Sequence, residues 1–527
     1  MRIVALLVVI LGSAARVVRW FSDRPLWLDE QMIAINLRDR GFAGLAADLS
    51  HDQSAPIGWL WAQRAVLLTL GDGGRMLRLI PLLFGIGTLV LAYYAGRRLL
   101  GPAGTLTLVT LLAVNGSLIR YSTEVKQYSA DAFTVLLLLT LALLGTRRAW
   151  VWWVAAAAAG LFSTAAIMVT PGLALVLLVV SIRSAGWAGA LRQHAAGVLL
   201  WVAALVAHYL LALRYALGDD TLAALNARLG FPPAGLRGTA MWLIERPVTL
   251  AGDPIGVPPV LAVVIWIVAL AGVVAVTFLP RGDSTGPGWM SGPRWVRGLL
   301  LAAPVVTAFA AAVAHAVPLY GRFAVQLLPP LFIAVGIAAD LVAGTLAAAR
   351  REPGRRPART VAAAAGALGF VALAVLGVAP AAATAAEPAP YTNGFDDRAA
   401  VEAIVAAHRP GDLVLANPSA WPAVKWYSGG APGPVGVLES NCRHNPIQDA
   451  ARGYTRLLVY AGMQAGGTGA EKRIADGLAT LGTVAGPERF RAGAVYTVTL
   501  APDIALSRTP VIGKASGDDC LTVSAAR

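Results

Sequence analysis

The chain alternates between long apolar runs and short polar connections over most of its length. A transmembrane helix needs about 20 mostly apolar residues. Runs of that kind predict about 11 membrane-spanning helices. By residue number they are 3–20, 78–99, 103–119, 130–145, 149–163, 166–182, 195–215, 259–279, 298–317, 322–346 and 360–385. The pattern therefore predicts an α-helical polytopic membrane protein.

Clustered arginines fall on one side of this pattern. With the N-terminus placed inside, the even-numbered connections carry them, and the positive-inside rule assigns that side to the cytoplasm. These arginines are Arg97, Arg98, Arg147, Arg148, Arg183, Arg192, Arg281, Arg294, Arg297, Arg350, Arg351, Arg355, Arg356 and Arg359. All four lysines fall on the other side, at Lys126, Lys425, Lys472 and Lys514. We therefore predict a cytoplasmic N-terminus and an extracytoplasmic C-terminus. The Arg-rich, Lys-poor and Ala-rich composition favours a bacterial plasma membrane.

The outer connections differ in length. Residues 21–77 form a first long loop, in which "GFAGLAADL" and "IGWLWAQRAVLLTL" are predicted to be helices at the membrane surface. Residues 218–258 form a second long loop, which prolines break into short pieces. The N-terminal run could alternatively be a signal peptide. Arg16 and Arg19 stand where cleavage would occur, which favours an uncleaved first span.

The composition changes after the Ala/Pro-rich linker "APAAATAAEPAP". Strand-like runs then alternate with helix-like runs, which predicts a small extracytoplasmic α/β domain over residues 388–527 and leaves 1–387 as the membrane domain. Cys442 and Cys520 would form a disulfide outside the cytoplasm and free thiols inside it, and the predicted topology favours the bridge. The aromatic residues of "NPSAWPAVKWYSGG" either stack on sugar rings or pack a helix on its sheet.

Composition supports the membrane assignment. Of 527 residues, 57% are hydrophobic and 14% are charged, whereas soluble domains carry about 25% charged residues. The net charge of +14 would suit nucleic acid, but the basic residues lie between apolar runs, where they set topology. We therefore expect no nucleic-acid partner. The sequence also lacks a Walker phosphate loop, a dinucleotide fingerprint placed after a strand, zinc-type Cys/His spacing and an Asp-x-Asp motif.

Three groups of polar residues are predicted to face the outer side. They come from "RPLWLDEQM", from "IRYSTEVKQYSAD" and from "HAVPLYGRFAVQLLPP". Taken singly, each residue could anchor a helix end or face solvent, and Arg322 could simply extend its charge to the interface. Taken together they indicate a site, because ionisable residues near the hydrocarbon tend to face a cavity or a partner. The residues are Asp29, Glu30, Arg120, Tyr121, Glu124, Lys126, Tyr128, Asp131, His315, Tyr320 and Arg322.

These residue types suit one kind of chemistry. An aspartate can act as a general base on a hydroxyl, while Arg and Lys bind phosphate. The reaction that unites them is glycosyl transfer from a polyprenyl-phosphate sugar, with cations stabilising the departing lipid phosphate. A transporter or flippase of lipid-linked sugars is the alternative, although internal repeats and midplane interruptions are not evident. A receptor or assembly scaffold would use the C-terminal domain but leaves the three groups unexplained.

The residues also resemble a known family. "LWLDEQMIA", "HDQSAPIGWLWAQRAVLLTL" and "IRYSTEVKQYSAD" resemble glycosyltransferase family 39, the protein mannosyltransferase and lipid A aminoarabinose transferase group of GT-C membrane enzymes. The resemblance covers about residues 1–145, weakens in the middle spans and returns at "PLYGRFAVQLLPPLFIAVG". It implies a polyprenyl-phosphate monosaccharide donor and transfer with inversion. The acceptor would be a glycan, a lipid or a protein.

The resemblance also implies roles for individual residues. Asp29 would be the catalytic base with Glu30 beside it, and Glu124 would carry the second acidic motif. We predict that the donor phosphate contacts Arg120, Lys126, Arg322 and Tyr320. We predict that the acceptor pocket contains His51, Asp52 and Tyr128.

Two positions depart from the family pattern. Ala55 stands where members often have the first proline of "PPL", and Lys126 stands where members often have Arg, which keeps the charge but loses the planar fork. A divalent metal (Mg, Mn or Ca) has been linked to some members. Asp29, Glu30 and Glu124 could supply carboxylate oxygens to such an ion.

Overall fold

The computed structural model describes most of the chain as two compact units. One unit comprises Met1–Ser22 and Gly41–Glu387, and the other comprises Asp23–Arg40 and Pro388–Arg527. The segment that carries Asp29 and Glu30 thus belongs to the second unit, whereas the predicted domain bounds placed it in the membrane domain. The predicted span 360–385, Cys442 and Cys520 lie outside the described residues. The described residues are 1–145, 149–216, 229–278, 293–351, 396–429, 435–439, 445–447, 451–462, 468–491, 493–505 and 522–525.

Helices dominate the described chain. Those before residue 210 are α1 (Arg2–Phe21), α2 (Leu28–Asp39), α3 (Ile57–Leu70), α4 (Gly74–Leu77), α5 (Leu79–Leu99), α6 (Pro102–Val114), α7 (Gly116–Tyr121), α8 (Tyr128–Leu144), α9 (Ala149–Phe162) and α10 (Thr164–His208). The longer helices after it are α11 (Leu236–Thr249), α12 (Pro259–Phe278), α13 (Arg294–Val313), α14 (Leu328–Arg351), α15 (Asp397–Ala407), α16 (Trp421–Tyr427) and α17 (Thr468–Ala479). Only α2, α15, α16 and α17 of these belong to the second unit.

The apolar helices match the predicted spans. Within the described ranges, six helical segments are long and apolar enough to cross a membrane, and α6, α8 and α9 are shorter apolar helices. The first ten predicted runs each coincide with helical structure, and a multi-pass helical membrane protein is confirmed. The orientation of the termini stays a prediction. The six long segments are Arg2–Phe21, Gly74–Leu99, Thr164–Leu213, Pro259–Phe278, Arg294–Val313 and Gly321–Ala347.

Helix α10 contains the predicted span 166–182 and the first part of the predicted span 195–215, which continues in helical structure beyond His208. Gly186 interrupts it with a φ of 69° and a ψ of 175°. The Ser181 Oγ and His194 Nε2 atoms, 13 residues apart in sequence, are within 2.8 Å. A straight helix would separate them by about 20 Å. The chain therefore reverses at Gly186, a residue without the Cβ that opposes positive φ, and its two arms pack side by side.

Charged groups from other helices satisfy both ends of α6. Arg16 of α1 donates to the carbonyl oxygens of Leu112 and Ala113 at 3.0 and 3.3 Å. Asp340 of α14 accepts from the backbone N–H groups of Gly101 and Gly104 at 2.6 and 2.7 Å. Helix ends leave such groups without an intrahelical partner. This accounts for a buried arginine and an aspartate within apolar runs.

The first outer loop agrees with prediction only in part. "IGWLWAQRAVLLTL" forms α3, as expected. "GFAGLAADL" forms only a short 3₁₀ turn at Gly44–Ala46, so the helix predicted there is wrong. Two glycines in this stretch lower its helix propensity, which explains the difference. A second 3₁₀ turn follows at Ser50–Asp52.

The second unit contains the predicted α/β domain. Its described strands are β1 (Asp412–Ala416), β2 (Val435–Glu439), β3 (Asn445–Pro446), β4 (Arg456–Gly462), β5 (Gly482–Phe490), β6 (Gly493–Leu500) and β7 (Thr522–Ala525). They form one sheet in the order β3-β7-β2-β1-β4-β6-β5. Strand β1 runs parallel to β2 and β4, and the other neighbours are antiparallel. Strand β1 is buried throughout, as expected for a strand in the middle of the sheet. Apolar residues of α15 and α16 pack on β1 and β4.

Candidate active site

The "IRYSTEVKQYSAD" segment folds as α7 and a following turn, and Asn115 holds this element in place. The Asn115 Oδ1 atom accepts from the backbone N–H of Leu118 at 2.8 Å, which caps the helix. Its Nδ2 atom donates to the carbonyl oxygens of Pro254 and Ile255 at 3.0 and 2.8 Å. One side chain therefore joins α7 to the second long outer loop.

Asp253, in that same loop, is a polar centre that the sequence analysis missed. Its carboxylate accepts from the Ser117 Oγ atom at 2.8 Å and from the Tyr121 hydroxyl at 2.6 Å. Burial raises the pKa of Tyr121 well above its usual value, and the nearby Asp253 charge raises it further, so the phenol remains the donor. The sequence signal was an Asp-Pro step in a proline-rich outer loop, which does not by itself indicate a partner.

The 3₁₀ helix Gly321–Leu327 approaches Asp253 at its first residue. Gly321 has a φ of 42°, and a Cβ placed there would lie 3.2 Å from the Asp253 Oδ2 atom. Both the backbone conformation and the close approach favour glycine. This contact brings the "PLYGRFAVQ" segment next to α7.

Arg120 and Glu124 form the central ion pair of the cluster. The Arg120 Nε atom donates to the Glu124 Oε1 atom at 2.7 Å, and the two side chains are 20% and 2% exposed. Burial lowers the pKa of Arg120, but Glu124, Tyr121 and Asp253 together more than offset this, so the net pKa lies above its usual value. The hydrogen bond from the Arg120 Nε atom to Glu124 therefore orients the guanidinium, which stays positively charged.

Arg322 rests on an aromatic cluster that continues to α7. Its guanidinium lies 5.8 Å from the Tyr128 ring centroid and 5.4 Å from that of Phe323, within the range of cation–π attraction. The Tyr128 ring also packs edge-on against Tyr121 at 5.1 Å. Tyr320 packs against Phe323 at 5.2 Å. The Arg120 guanidinium lies 5.2 Å from the Tyr121 ring centroid, so Arg120, Tyr128, Tyr320 and Arg322 belong to one contiguous cluster drawn from two stretches of sequence. Their role in binding a donor stays a prediction.

Lys126 connects this cluster to the first outer loop. Its Nζ atom donates to the Gln53 Oε1 atom at 2.6 Å, and the residue is 6% exposed. His51 occupies a left-handed conformation with a φ of 64°, and its carbonyl oxygen accepts from the Gln53 side chain at 3.0 Å. The predicted pocket residue His51 is therefore two positions from the partner of Lys126. The side chain of Asp52 lies outside what the structure describes.

Asp29 and Glu30 occupy the first turn of α2, in the second unit. The Glu30 Oε2 atom accepts from the backbone N–H of Trp27 at 3.2 Å, and Glu30 is fully buried. A carboxylate at this position satisfies an N–H at the helix start and favours the positive end of the helix dipole. Asp29, in contrast, is half-buried. The two adjacent acids thus differ, with Glu30 stabilising the helix start and Asp29 reaching the surface of its own unit.

The predicted metal ligands are distributed over both units. Among the residues that the structure describes, no group of three or more His, Cys, Asp or Glu side chains is placed to hold a metal ion. Glu124 faces the Arg120 guanidinium, and Glu30 accepts a backbone hydrogen bond. These carboxylates do not provide the cluster of oxygen donors that Mg, Mn or Ca requires.

Comparisons with known proteins bear on the fold. No protein-family model and no curated protein matches the chain. Two crystal structures of ArnT from Cupriavidus metallidurans, one bound to undecaprenyl phosphate and one in the apo state, match with TM-scores of 0.56 and 0.57. Both are 15% identical and cover 95% of this chain and 99% of ArnT. The apo Archaeoglobus fulgidus oligosaccharyltransferase matches with a TM-score of 0.46 and 12% identity, over 80% of this chain and 64% of that one. The ArnT structures confirm the predicted fold class: this chain has the polytopic GT-C membrane fold with a small C-terminal sheet domain.

Proposed function

We propose that this protein is a membrane glycosyltransferase that moves a monosaccharide from a polyprenyl-phosphate donor to a hydroxyl acceptor on the outer face of the membrane. The observation that carries the proposal is the cluster in which Arg120, paired with Glu124, and Arg322 lie among aromatic rings. Such a site suits a phosphate attached to a lipid. The similarity to the ArnT structure bound to undecaprenyl phosphate supports the same donor class.

The cations of the cluster bind the donor phosphate in this proposal. Arg120 is oriented by Glu124, and Arg322 is oriented by the Tyr128 and Phe323 rings. Lys126 adds a point charge. These charges stabilise the negative charge that develops on the departing phosphate more than they stabilise the intact donor, which lowers the barrier. Tyr320 and Tyr128 border the same site.

Asp29 is the general base in this proposal. It removes the proton from the acceptor hydroxyl while the hydroxyl oxygen attacks the anomeric carbon of the sugar. The bond between that carbon and the phosphate oxygen breaks, and polyprenyl phosphate leaves with the bonding electrons. One displacement of this kind inverts the anomeric configuration. The half-buried position of Asp29, beside the buried Glu30, supports this choice between the two acids.

The test uses the purified full-length protein in nanodiscs with a panel of radiolabelled polyprenyl-phosphate sugars. Release of polyprenyl phosphate is followed for the wild type, for Asp29→Asn and for the control Asp72→Asn, the same change at an exposed position of the first outer loop. Asp29→Asn should fold normally and lose about 10²–10⁴-fold in turnover, the typical contribution of a general base. Asp72→Asn should match the wild type.

Two results would count against the proposal. Normal turnover by Asp29→Asn would remove Asp29 from the mechanism. Tight donor binding without release, in the presence of glycan, lipid and peptide acceptors, would instead favour a transporter or flippase of lipid-linked sugars.

A further inference from the structure

The second unit includes the acidic helix α2, and its polar contacts show how that helix is held. Helix α2 lies in the segment Asp23–Arg40. In the middle of this segment, the Gln31 Nε2 atom donates to the Asp397 Oδ2 atom at 3.0 Å and to the carbonyl oxygen of Leu26 at 2.6 Å. The Tyr460 hydroxyl donates to the other carboxylate oxygen of Asp397. Gln31 and Tyr460 are fully buried, and Asp397 is 2% exposed. The three side chains form a continuous hydrogen-bonded chain from α2 through α15 to β4.

The electrostatics of this chain agree with its geometry. Burial raises the pKa of Asp397, and the hydrogen bonds from Tyr460 and Gln31 partly oppose the rise. Burial and the Asp397 charge together raise the pKa of Tyr460, so the phenol stays protonated and donates. A buried carboxyl costs free energy unless donors satisfy it. Both donors to Asp397 are therefore needed, and one of them lies on α2.

Both ends of the segment are held as well. The backbone N–H of Leu26 donates to the Tyr427 hydroxyl at 2.6 Å, before α2 begins. Near its end, Arg38 donates to the carbonyl oxygens of Lys425 and Trp426 at 3.1 and 3.2 Å. The Arg38 guanidinium also lies 5.1 Å from the Trp426 ring centroid. Trp426 and Tyr427 of "NPSAWPAVKWYSGG" therefore contact the segment that carries α2. Tyr427 also packs against apolar residues of β1 and β4, which agrees with the alternative in which this helix packs on its sheet.

We propose that Asp397 is a positioning residue for the reaction: through Gln31 it fixes α2, and with α2 the position of Asp29 two residues away. The inference rests on the proposed function and gives the C-terminal domain a role in it. A 12-residue helix is marginal alone in water, so α2 depends on its contacts. A general base must lie within hydrogen-bond reach of its proton, and a misplacement of about 1 Å can cost about 10²-fold in rate.

The experiment compares Asp397→Ala with Asp412→Ala in the full-length protein in nanodiscs. The hydrogen bonds that the structure gives the Asp412 side chain are with Arg409 and Arg456, within the same unit, so its loss weakens the domain without touching α2. Amide hydrogen exchange of peptides from residues 28–39 is measured alongside turnover. Asp397→Ala should raise exchange in these peptides by about tenfold or more, because a buried donor loses its acceptor. It should lower kcat by about 10–100-fold with an unchanged donor KM. Asp412→Ala should leave the exchange of residues 28–39, the kcat and the donor KM as in the wild type.

Each of the other outcomes supports or refutes a specific part of the proposal. Unchanged exchange of residues 28–39 in Asp397→Ala would overturn the proposed holding contact. Faster exchange with unchanged kcat would overturn the positioning role. If Asp397→Ala loosens the whole second unit, the variant Gln31→Met provides the test, because it removes the same contact from the α2 side. Faster exchange confined to residues 28–39, together with a lower kcat, would support the inference. Wild-type exchange and kcat in Gln31→Met would refute it. Absence of turnover in the wild type would overturn the proposed function, while the exchange comparison would still decide whether Asp397 holds α2.

Discussion

Replacing Arg322 tests whether this residue binds the donor or only anchors a helix end. In the structure the Arg322 guanidinium lies 5.8 and 5.4 Å from two aromatic centroids. Each such contact contributes about 0.5–1 kcal/mol at a partly exposed site. Arg322→Ala should therefore lower the free energy of unfolding by about 1–2 kcal/mol. That loss is expected whether or not Arg322 binds the donor.

The effect on donor affinity distinguishes the two roles. A hydrogen bond to a charged group contributes about 1.5–3 kcal/mol, which corresponds to about a 10–150-fold loss of affinity for polyprenyl phosphate. Arg322→Lys keeps the charge but loses the planar fork, so its affinity should fall between those of the wild type and Arg322→Ala. Affinity is measured by titrating polyprenyl phosphate into nanodiscs that carry each variant. Thermal unfolding is recorded in parallel.

A matched control exists within the same unit. The Arg183 guanidinium lies 4.9 Å from the Trp295 ring centroid, in connections predicted to face the cytoplasm. Arg183→Ala should thus lose a similar cation–π contact and leave donor affinity unchanged. Equal donor affinity in Arg322→Ala and Arg183→Ala would refute the reasoning, because Arg322 would then serve only as a helix anchor that extends its charge to the interface.

Three further predictions concern stability. Tyr121→Phe removes a donor to Asp253 and should lower the free energy of unfolding by about 1–3 kcal/mol in chemical denaturation, whereas no change would show that another group satisfies the carboxylate. Gly321→Ala places a Cβ 3.2 Å from Asp253 at a φ of 42°, so it should cost about 1–2 kcal/mol in the same assay, and a neutral result would contradict the close approach. Burial raises the pKa of Asp412, but hydrogen bonds from Arg456 and one backbone amide lower it more, so the net pKa lies below its usual value. The resulting stabilisation is complete above the unfolded pKa of about 3.9 and is lost as the pH falls through the folded value. The unfolding temperature of the second unit should therefore fall less between pH 6 and pH 3 in Asp412→Asn than in the wild type, and parallel curves would refute the assignment.

The sequence identified candidate residues where they are neighbours in the chain. Arg120 and Glu124 were singled out in one stretch, and the structure shows that, four residues apart, they form an ion pair. The "PLYGRFAVQLLPP" stretch placed Tyr320 and Arg322 together for the same reason. The sequence did not indicate Asp253, because its partner Tyr121 is 132 residues away and an isolated Asp-Pro step has many uses. Likewise, Gln31 and Asp397 are 366 residues apart.

By itself, the sequence determined which described segments form apolar helices and that a small α/β domain follows them. Hydropathy and periodicity act over about 20 residues, so they are readable without knowledge of the fold. The tertiary structure decided the remainder. It folded α10 back on itself at Gly186, capped α6 with Arg16 and Asp340, and placed the acidic helix α2 in the second unit. These outcomes depend on which distant groups satisfy buried charges and backbone atoms, and a local pattern does not specify such partners.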